Sequence, residues 1–487
     1  MNRKRTAELV DAQREEADSP VKIRTVLDEL RATCSSVWAS PLRRTWDHLA
    51  DHRDHRHSTK AGSGQVRRRS AVAALAATAC TAALLASCSS SNSSSATTAK
   101  STGASTSPIK IAFIYSKTGV AASESQDGYI GFMSRVDLAN AEGGVNGHKI
   151  VPELFDDQSS TTGVATAVKL AISQGAIGIV SDTAFMFAAA QFPQQAGIPV
   201  TGGSYDGFEW GTQPYTNMFA SDQGSGLNPA APYTLGTGKF FKAHGGSVVG
   251  SYGYGISPSS IYGANAAAKA SIAVGLKSGI LDTSVPFGSA EFGTEALAAK
   301  SAGIDALFPA LDNNSNFALF EALKANGVKL KVVTFATGYE PDIIGSNVWS
   351  EVQGTYFGSS FRPTSIPNAG TIQMVNAMAT YEHRPAKDFP TFAIYEGWLG
   401  ADLMLKGIGL AGAHPTSRAI IEDLRKVTSY NGNGILPINV NYTNNFGVGN
   451  PTECAWYLKA EQKGFVPVTK APSCDAVIKG STSKTAP

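Results

Sequence analysis

Charge is scarce in this chain, 16 % of 487 residues, and what there is lies unevenly. Residues 1–69 hold 15 Lys and Arg against 10 Asp and Glu, leaving 26 against 29 for the rest. A mildly acidic body argues against a nucleic-acid polyanion as partner. Catalytic signatures are also missing. "GGSYDG" has the wrong spacing around Ser204 for a nucleophile elbow. "YTLGTGKFF" lacks the first glycine of a phosphate loop and follows Lys239 with Phe240, and "SYGYGISP" lacks the third glycine of a dinucleotide fingerprint. His148, His244, His383 and His414 are scattered without metal-ligand spacing. His48, His52, His55 and His57 cluster, but with no zinc-site pattern beside them they read as a solvated charge run. No metal, cofactor or enzymatic turnover is expected.

Long apolar runs are equally few, which gives weight to the one that is present. Arg67, Arg68 and Arg69 precede an Ala- and Leu-rich stretch from Ala71 to Ala86, followed at once by Cys88 and a Ser/Thr-rich segment. A basic flank, an apolar segment of about 15 residues and small residues before a cut mark a secretory signal. The run is short for a membrane helix. Leu85-Ala86-Ser87-Cys88 resembles the bacterial lipobox, which implies lipidation of Cys88. Residues 67–87 are thus expected to be a lipoprotein signal peptide and 88–107 a flexible tether holding a folded body clear of the headgroups. Residues 1–66 read as a non-native or disordered extension, with the start expected just upstream of Arg67, at Val66 read as an initiation codon. Of the five cysteines, Cys34 would then be absent and Cys80 would leave with the signal. Cys454 and Cys474, 20 residues apart in an exported tail, are expected to pair, a link worth about 3 kcal/mol by loop entropy.

From Pro108 short apolar strands alternate with helical patterns. "IKIAFIY" reads as a strand, and the next segment carries Tyr129, Phe132, Met133 and Val136 at helical spacing. "NGHKIVPELFDD", "AIGIVS" and "IPVTGG" read as further strands with helices between them. A second series begins at "GGSVVGSYGYG", passes through a helix over "SSIYGANAAAKASIAVGLKSG", and continues with "IDALFPAL", a helix over "NSNFALFEALKANG" and "KLKVVTFATG". Two helical segments, "IYEGWLGADLMLKGIGLAG" and "SRAIIEDLRKVTSY", precede a β-rich tail from Gly434. The alternation predicts an α/β protein of two lobes, each a parallel sheet flanked by helices, with a ligand cleft beyond the carboxyl ends of the strands. Aromatic residues recur at that level: Tyr115 ends the first strand, Tyr205, Phe208 and Trp210 follow "IPVTGGS", Tyr252 and Tyr254 follow "SVVGS", and Tyr339 follows "VVTFATG". Aromatic walls with a few hydroxyls make a small-molecule pocket.

The stretch from "IKIAFIYSKTG" through "NAEGGVNGHKI" to "DDQSSTTGVATAVKLA" closely resembles the opening of type I periplasmic binding proteins, in the branched-chain amino-acid (Leu/Ile/Val) receptor group of ABC importers. "AGIPVTGGS", "YGANAAAKA" and "EFGTEALAAKSAGIDALF" continue the likeness. It implies a Venus-flytrap receptor with three hinge crossings near Asp222, Arg362 and Val440. Lobe 1 is then residues 108–222 with 362–440, and lobe 2 is 223–361 with 441–487. It further implies a monomer held to the membrane by its lipid alone, a small-molecule solute, and an ABC permease with its ATPase as partners. In that family backbone N–H groups and hydroxyls of the first lobe hold a ligand carboxylate, which maps onto Thr183, Ser204 and Tyr205, with Ser181 as a near neighbour. Tyr262 and Asp312 match second-lobe positions. "DTAFMF" replaces the usual Ser/Thr run, "FATG" stands where a glutamate is common, and Asp206 takes the place of a second hydroxyl, where it would repel a carboxylate. Amides, ureas and aromatic acids are therefore expected beside amino acids. A flytrap sensor signalling to a membrane partner and an envelope hydrolase are the alternatives.

Overall fold

The computed structural model describes residues 106–204, 206–222, 233–385, 388–443 and 453–478. The signal segment, Cys34, Cys80, Cys88 and Tyr205 lie outside them. Strand β1 (Ile109–Tyr115) is buried at every position but Lys110, as a central parallel strand covered on both faces should be. It pairs in parallel with β2 (Ile150–Asp156) on one side and β3 (Gly178–Asp182) on the other. Strands β4 (Val200–Gly202) and β5 (Met218–Ala220) extend the sheet in the order β2-β1-β3-β4-β5, all parallel.

On one face of this first sheet lie helices α3 (Thr161–Ser173) and α4 (Gln191–Ala196), with Trp210 fully buried in the same apolar cluster. Ser160 starts α3 by accepting the Gly163 N–H at 3.0 Å, the expected N-cap arrangement. On the other face lie α2 (Gly128–Ala141), which follows a single turn α1 (Ala122–Ser125), and the late helices α10 (Ala369–Tyr381), α11 (Phe392–Leu410) and α12 (Ser417–Leu424). Helices α2 and α11 cross so closely that a Cβ at Gly131 would lie 2.0 Å from the Ile394 carbonyl oxygen. One at Gly397 would lie 2.0 Å from the Gly128 carbonyl oxygen. Glycine at both positions is what seats α11, and with it the residues at its N-terminal end.

The second sheet runs β12-β11-β10-β9-β8-β6-β7, with β13 beside β11. Its parallel part is β6 (Val248–Tyr254), β7 (Lys277–Val285), β8 (Ala306–Ala310), β9 (Val332–Phe335) and β10 (Tyr356–Ser359). Strands β11 (Glu453–Glu461), β12 (Gly464–Pro467) and β13 (Ser473–Asp475) join antiparallel, so this sheet is mixed and not parallel throughout, as the alternating pattern had implied. These three strands follow one another without an intervening helix, and tight connections give antiparallel pairs. Helices α5 (Gly236–Ala243) and α6 (Pro258–Ala273) cover one face, where α6 packs on β6, β7 and β8. Helices α7 (Gly293–Ala302), α8 (Asn313–Ala325) and the short α9 (Asn347–Glu351) cover the other.

The helical reading over 259–279 overran its end. Helix α6 stops at Ala273, and β7 begins at Lys277. This edge strand is exposed or half-buried along nearly all its length, so its apolar alternation is weak. Cys454 and Cys474 sit opposite each other in the β11–β13 ladder and form a disulfide.

Where the chain passes between sheets, three segments are tied together. The Tyr442 hydroxyl donates to the Ala220 carbonyl at the end of β5, and the Tyr442 ring meets Phe219 edge-on at 5.8 Å. Arg362 bonds Ile435 through its N–H at 2.8 Å, and its guanidinium lies over the Trp456 ring of β11 at 5.4 Å. Among the described residues no helix is long and apolar enough to cross a membrane, and no group of His, Cys, Asp and Glu is placed to hold a metal ion.

Candidate functional site

In both sheets the strand order reverses about one strand, at β1 in the first and β6 in the second, and ligands of open parallel sheets collect beyond the carboxyl ends of such strands. A cavity of about 270 Å3 lies there, between the two sheets. Ser204 reaches it just past β4 and Asp222 just past β5. Tyr254 comes from the end of β6, and Asp312 follows β8. Thr337 and Ser360 stand just beyond β9 and β10. Helix α11 points its first turns at the same space, lining it with Phe392 and Glu396, and α1 adds Glu124.

The two sides touch at its rim. Phe185, after β3, meets Phe287, after β7, edge-on at 5.3 Å, and the Asn313 amide donates to the Ser123 carbonyl at 3.1 Å.

The carboxyls around this cavity are not equivalent. Asp312 caps α8, accepting the N–H groups of Asn314 at 2.9 Å and Ser315 at 3.2 Å and the Ser315 hydroxyl at 3.0 Å. The Tyr254 hydroxyl donates to it as well, so most of its acceptor capacity is taken up by the protein itself. Burial, followed by the neighbouring Asp312 carboxylate, pushes the Tyr254 phenol far up. Asp222 accepts the Ser204 hydroxyl at 2.7 Å.

Glu396 differs from both. It is 0 % exposed, and neither of its carboxyl oxygens has a hydrogen-bond partner among the described residues. Burial above all, then Asp222 and Asp182, pushes its carboxyl well above the ordinary range. Glu124 is raised in the same way by burial, then by Asp312, Glu340 and Asp182. Among the described residues no Lys, Arg or His lines the cavity.

Of the residues singled out from sequence, Ser204, Tyr262 and Asp312 line the cavity; Tyr262 stacks on Tyr233 at 4.9 Å. Four others lie off it. Tyr115 packs into the first core against Phe113 and Tyr129, and burial pushes its phenol up to about 12. The Thr183 hydroxyl donates to Asp157, which also takes the Ser116 hydroxyl at 2.8 Å, so it ties β3 to the end of β2. Tyr252 is 1 % exposed in the second core, and Tyr339 stacks on Phe389 at 4.7 Å beside a separate groove. All four follow the strand pattern correctly, but residues at strand ends also close the core. Ser181 is fully buried within β3. Asp206, expected to oppose a ligand carboxylate, turns inward instead, accepting the Trp210 indole N–H at 2.6 Å and the Phe187 N–H at 2.9 Å.

Glu396, Glu124 and Ser257, Ser259 and Ser260 at the start of α6, which also line the cavity, escaped the sequence reading. For Glu396 a signal existed: one acid in the otherwise apolar opening of α11, "FAIYEGWLG".

Residues 108–464 match the family model described as a periplasmic binding protein. Among curated proteins none matches the sequence. Among solved structures, a leucine binding protein from Thermotoga maritima has a TM-score of 0.60 at 17 % identity, over 76 % of this chain and 99 % of its own. A branched-chain amino acid ABC transporter protein from Thermus thermophilus with bound valine has a TM-score of 0.61 at 17 % identity, over 76 % and 97 %. A solute binding protein of an ABC transporter from R. palustris in complex with benzoate has a TM-score of 0.60 at 14 % identity, over 78 % and 100 %. Two α/β sheets facing each other across a cavity, and a family match over most of the chain, lead to one conclusion: this chain belongs to the type I periplasmic binding protein family.

Proposed function

We propose that the protein is the lipid-anchored, extracytoplasmic binding component of an ABC importer. It captures a small amino-acid-like, amide or aromatic solute in the cavity between its sheets and delivers it to a permease, without turnover. The observation that carries this reading is the cavity itself, closed from both sides at the carboxyl ends of two sheets and lined by both. A solute that touches Ser204 and Glu396 on one side and Tyr254 and Tyr262 on the other stabilises the closed arrangement through contacts that the open one cannot make. That population shift is what a permease reads. The leucine, valine and benzoate ligands of the structural neighbours support a small metabolite as cargo.

A thermal-shift screen of the purified chain with amino acids, amides, ureas and aromatic acids and amines tests it, together with solution scattering. A hit that raises the melting temperature and contracts the scattering profile is expected, with the compound recovered unchanged. Scattering that never contracts with any hit would remove the binding reading. For the anchor, Cys88→Ala should release the protein from the membrane fraction; unchanged membrane retention would remove the lipid.

A further inference from the structure

Two observations bear on the charge of the solute, and both concern where the protein spends its own hydrogen bonds. Of the first-sheet hydroxyls assigned by resemblance to a ligand carboxylate, Ser204 lines the cavity but donates to Asp222, and Thr183 lies off it and donates to Asp157. The Ser204 N–H also faces Asp222, at 3.4 Å. The protein thus places its own carboxylate where an incoming one would sit. Glu396, 0 % exposed at the cavity wall, has two carboxyl oxygens with no donor among the described residues. A buried polar group left without a partner is costly, and one at a cavity wall is completed by a donor that enters and reaches it.

We infer that the cavity takes an organic cation without a carboxylate, a primary amine or amidine whose N–H donors are received by Glu396 beside Asp222. The inference rests on the solute-binding reading and narrows it. The rest of the lining fits that cargo. Glu124 adds a further acid, no basic side chain competes for any of them among the described residues, and Phe392 and Tyr254 present aromatic surface of the kind that attracts cations. A zwitterionic amino acid would bring its carboxylate against Asp222, a like-charge contact that discriminates strongly between buried walls.

Three compounds of one skeleton separate the possibilities: isoamylamine, leucine and 4-methylpentanoate, with phenethylamine, phenylalanine and 3-phenylpropanoate as an aromatic set. Calorimetric titration of the full chain should give amines that bind at least tenfold more tightly than the matching amino acids, and acids that do not bind. Glu396→Gln should weaken the best amine by about tenfold or more while leaving the acids unbound. Leucine, phenylalanine or either acid binding as tightly as its amine would overturn the inference and leave the solute-binding reading intact. So would an amine affinity unchanged in Glu396→Gln. Binding by none of the six would count against both. Because the charge series is run on the unaltered chain, it decides the matter even if the variant fails to fold.

Discussion

The two walls of the cavity come from different sheets and do different work. The first-sheet side brings Glu124, Asp222 and Glu396, and Glu396 has no hydrogen-bond partner among the described residues. The second-sheet side brings hydroxyls and rings, and Asp312, its one acid among the described residues, is held by the start of α8 and by Tyr254. Two buried acids in one cavity therefore have opposite meanings. Asp312 holds the fold, since its removal strands several donors. Glu396 holds nothing among the described residues, so its retention is a cost to the empty protein.

The largest expected effect breaks that contrast directly. Asp312→Ala removes an N-cap, worth about 1 kcal/mol, and takes away the carboxylate that the buried Tyr254 O–H donates to, worth about 1–3 kcal/mol more. Denaturant unfolding should show a combined loss of that order, whereas Glu396→Gln should stay within about 1 kcal/mol of the parent or above it. Equal losses in the two variants would erase the distinction. Next, replacing Cys454 and Cys474 by Ala should cost about 3 kcal/mol by loop entropy while leaving solute affinity unchanged, because the link lies in the β11–β13 ladder. A comparable loss of affinity in a titration would show that the second sheet's tail reaches the site.

A smaller effect concerns pH at the seam. Glu340 bonds the Asn313 amide and acts on Glu124 across the cleft, and burial is the main cause that pushes its carboxyl from 4.5 up to about 7. Between those values the unfolded chain has lost a proton that the folded chain keeps, so stability should fall as pH rises from about 4.5 towards 7. Glu340→Gln should make that decline shallower; an identical slope would place the titration elsewhere. The smallest effect is expected from Phe287→Ala, which loses the edge-on contact to Phe185 and the one to Tyr254 at 4.8 Å. Such pairs are worth about 1 kcal/mol, so solute affinity should drop less than tenfold. A larger drop would make the second-sheet rings, and not the first-sheet acids, the main source of binding.

Much of the fold was legible because strands and helices announce themselves locally. "IKIAFIY" has no polar face to show water, and Ser160 and Asp312 sit where caps belong. Strand β7 was lost because its exposed edge carries little alternation, and α10 because "AGTIQMVNAMATY" has only a thin apolar stripe. The lining of the candidate cavity was legible at Ser204, Tyr262 and Asp312, which follow strands or open helices in the expected register. The lining was illegible at Tyr252 and Tyr339, whose sequence context matches that of Tyr254 while their rings pack in the core cluster.

The sequence by itself determined the alternation of strands and helices, the two-sheet plan and the family, because each is written in periodicities and motifs a few residues long. Only the tertiary structure decided which acids line the cavity and which of them the protein itself satisfies. Asp222 and Glu396 lie far apart in the chain and meet because α11 returns to the first sheet and seats itself against α2 on bare glycine backbone. Whether a buried carboxylate is satisfied depends on donors brought from elsewhere in the fold, and no local pattern encodes that.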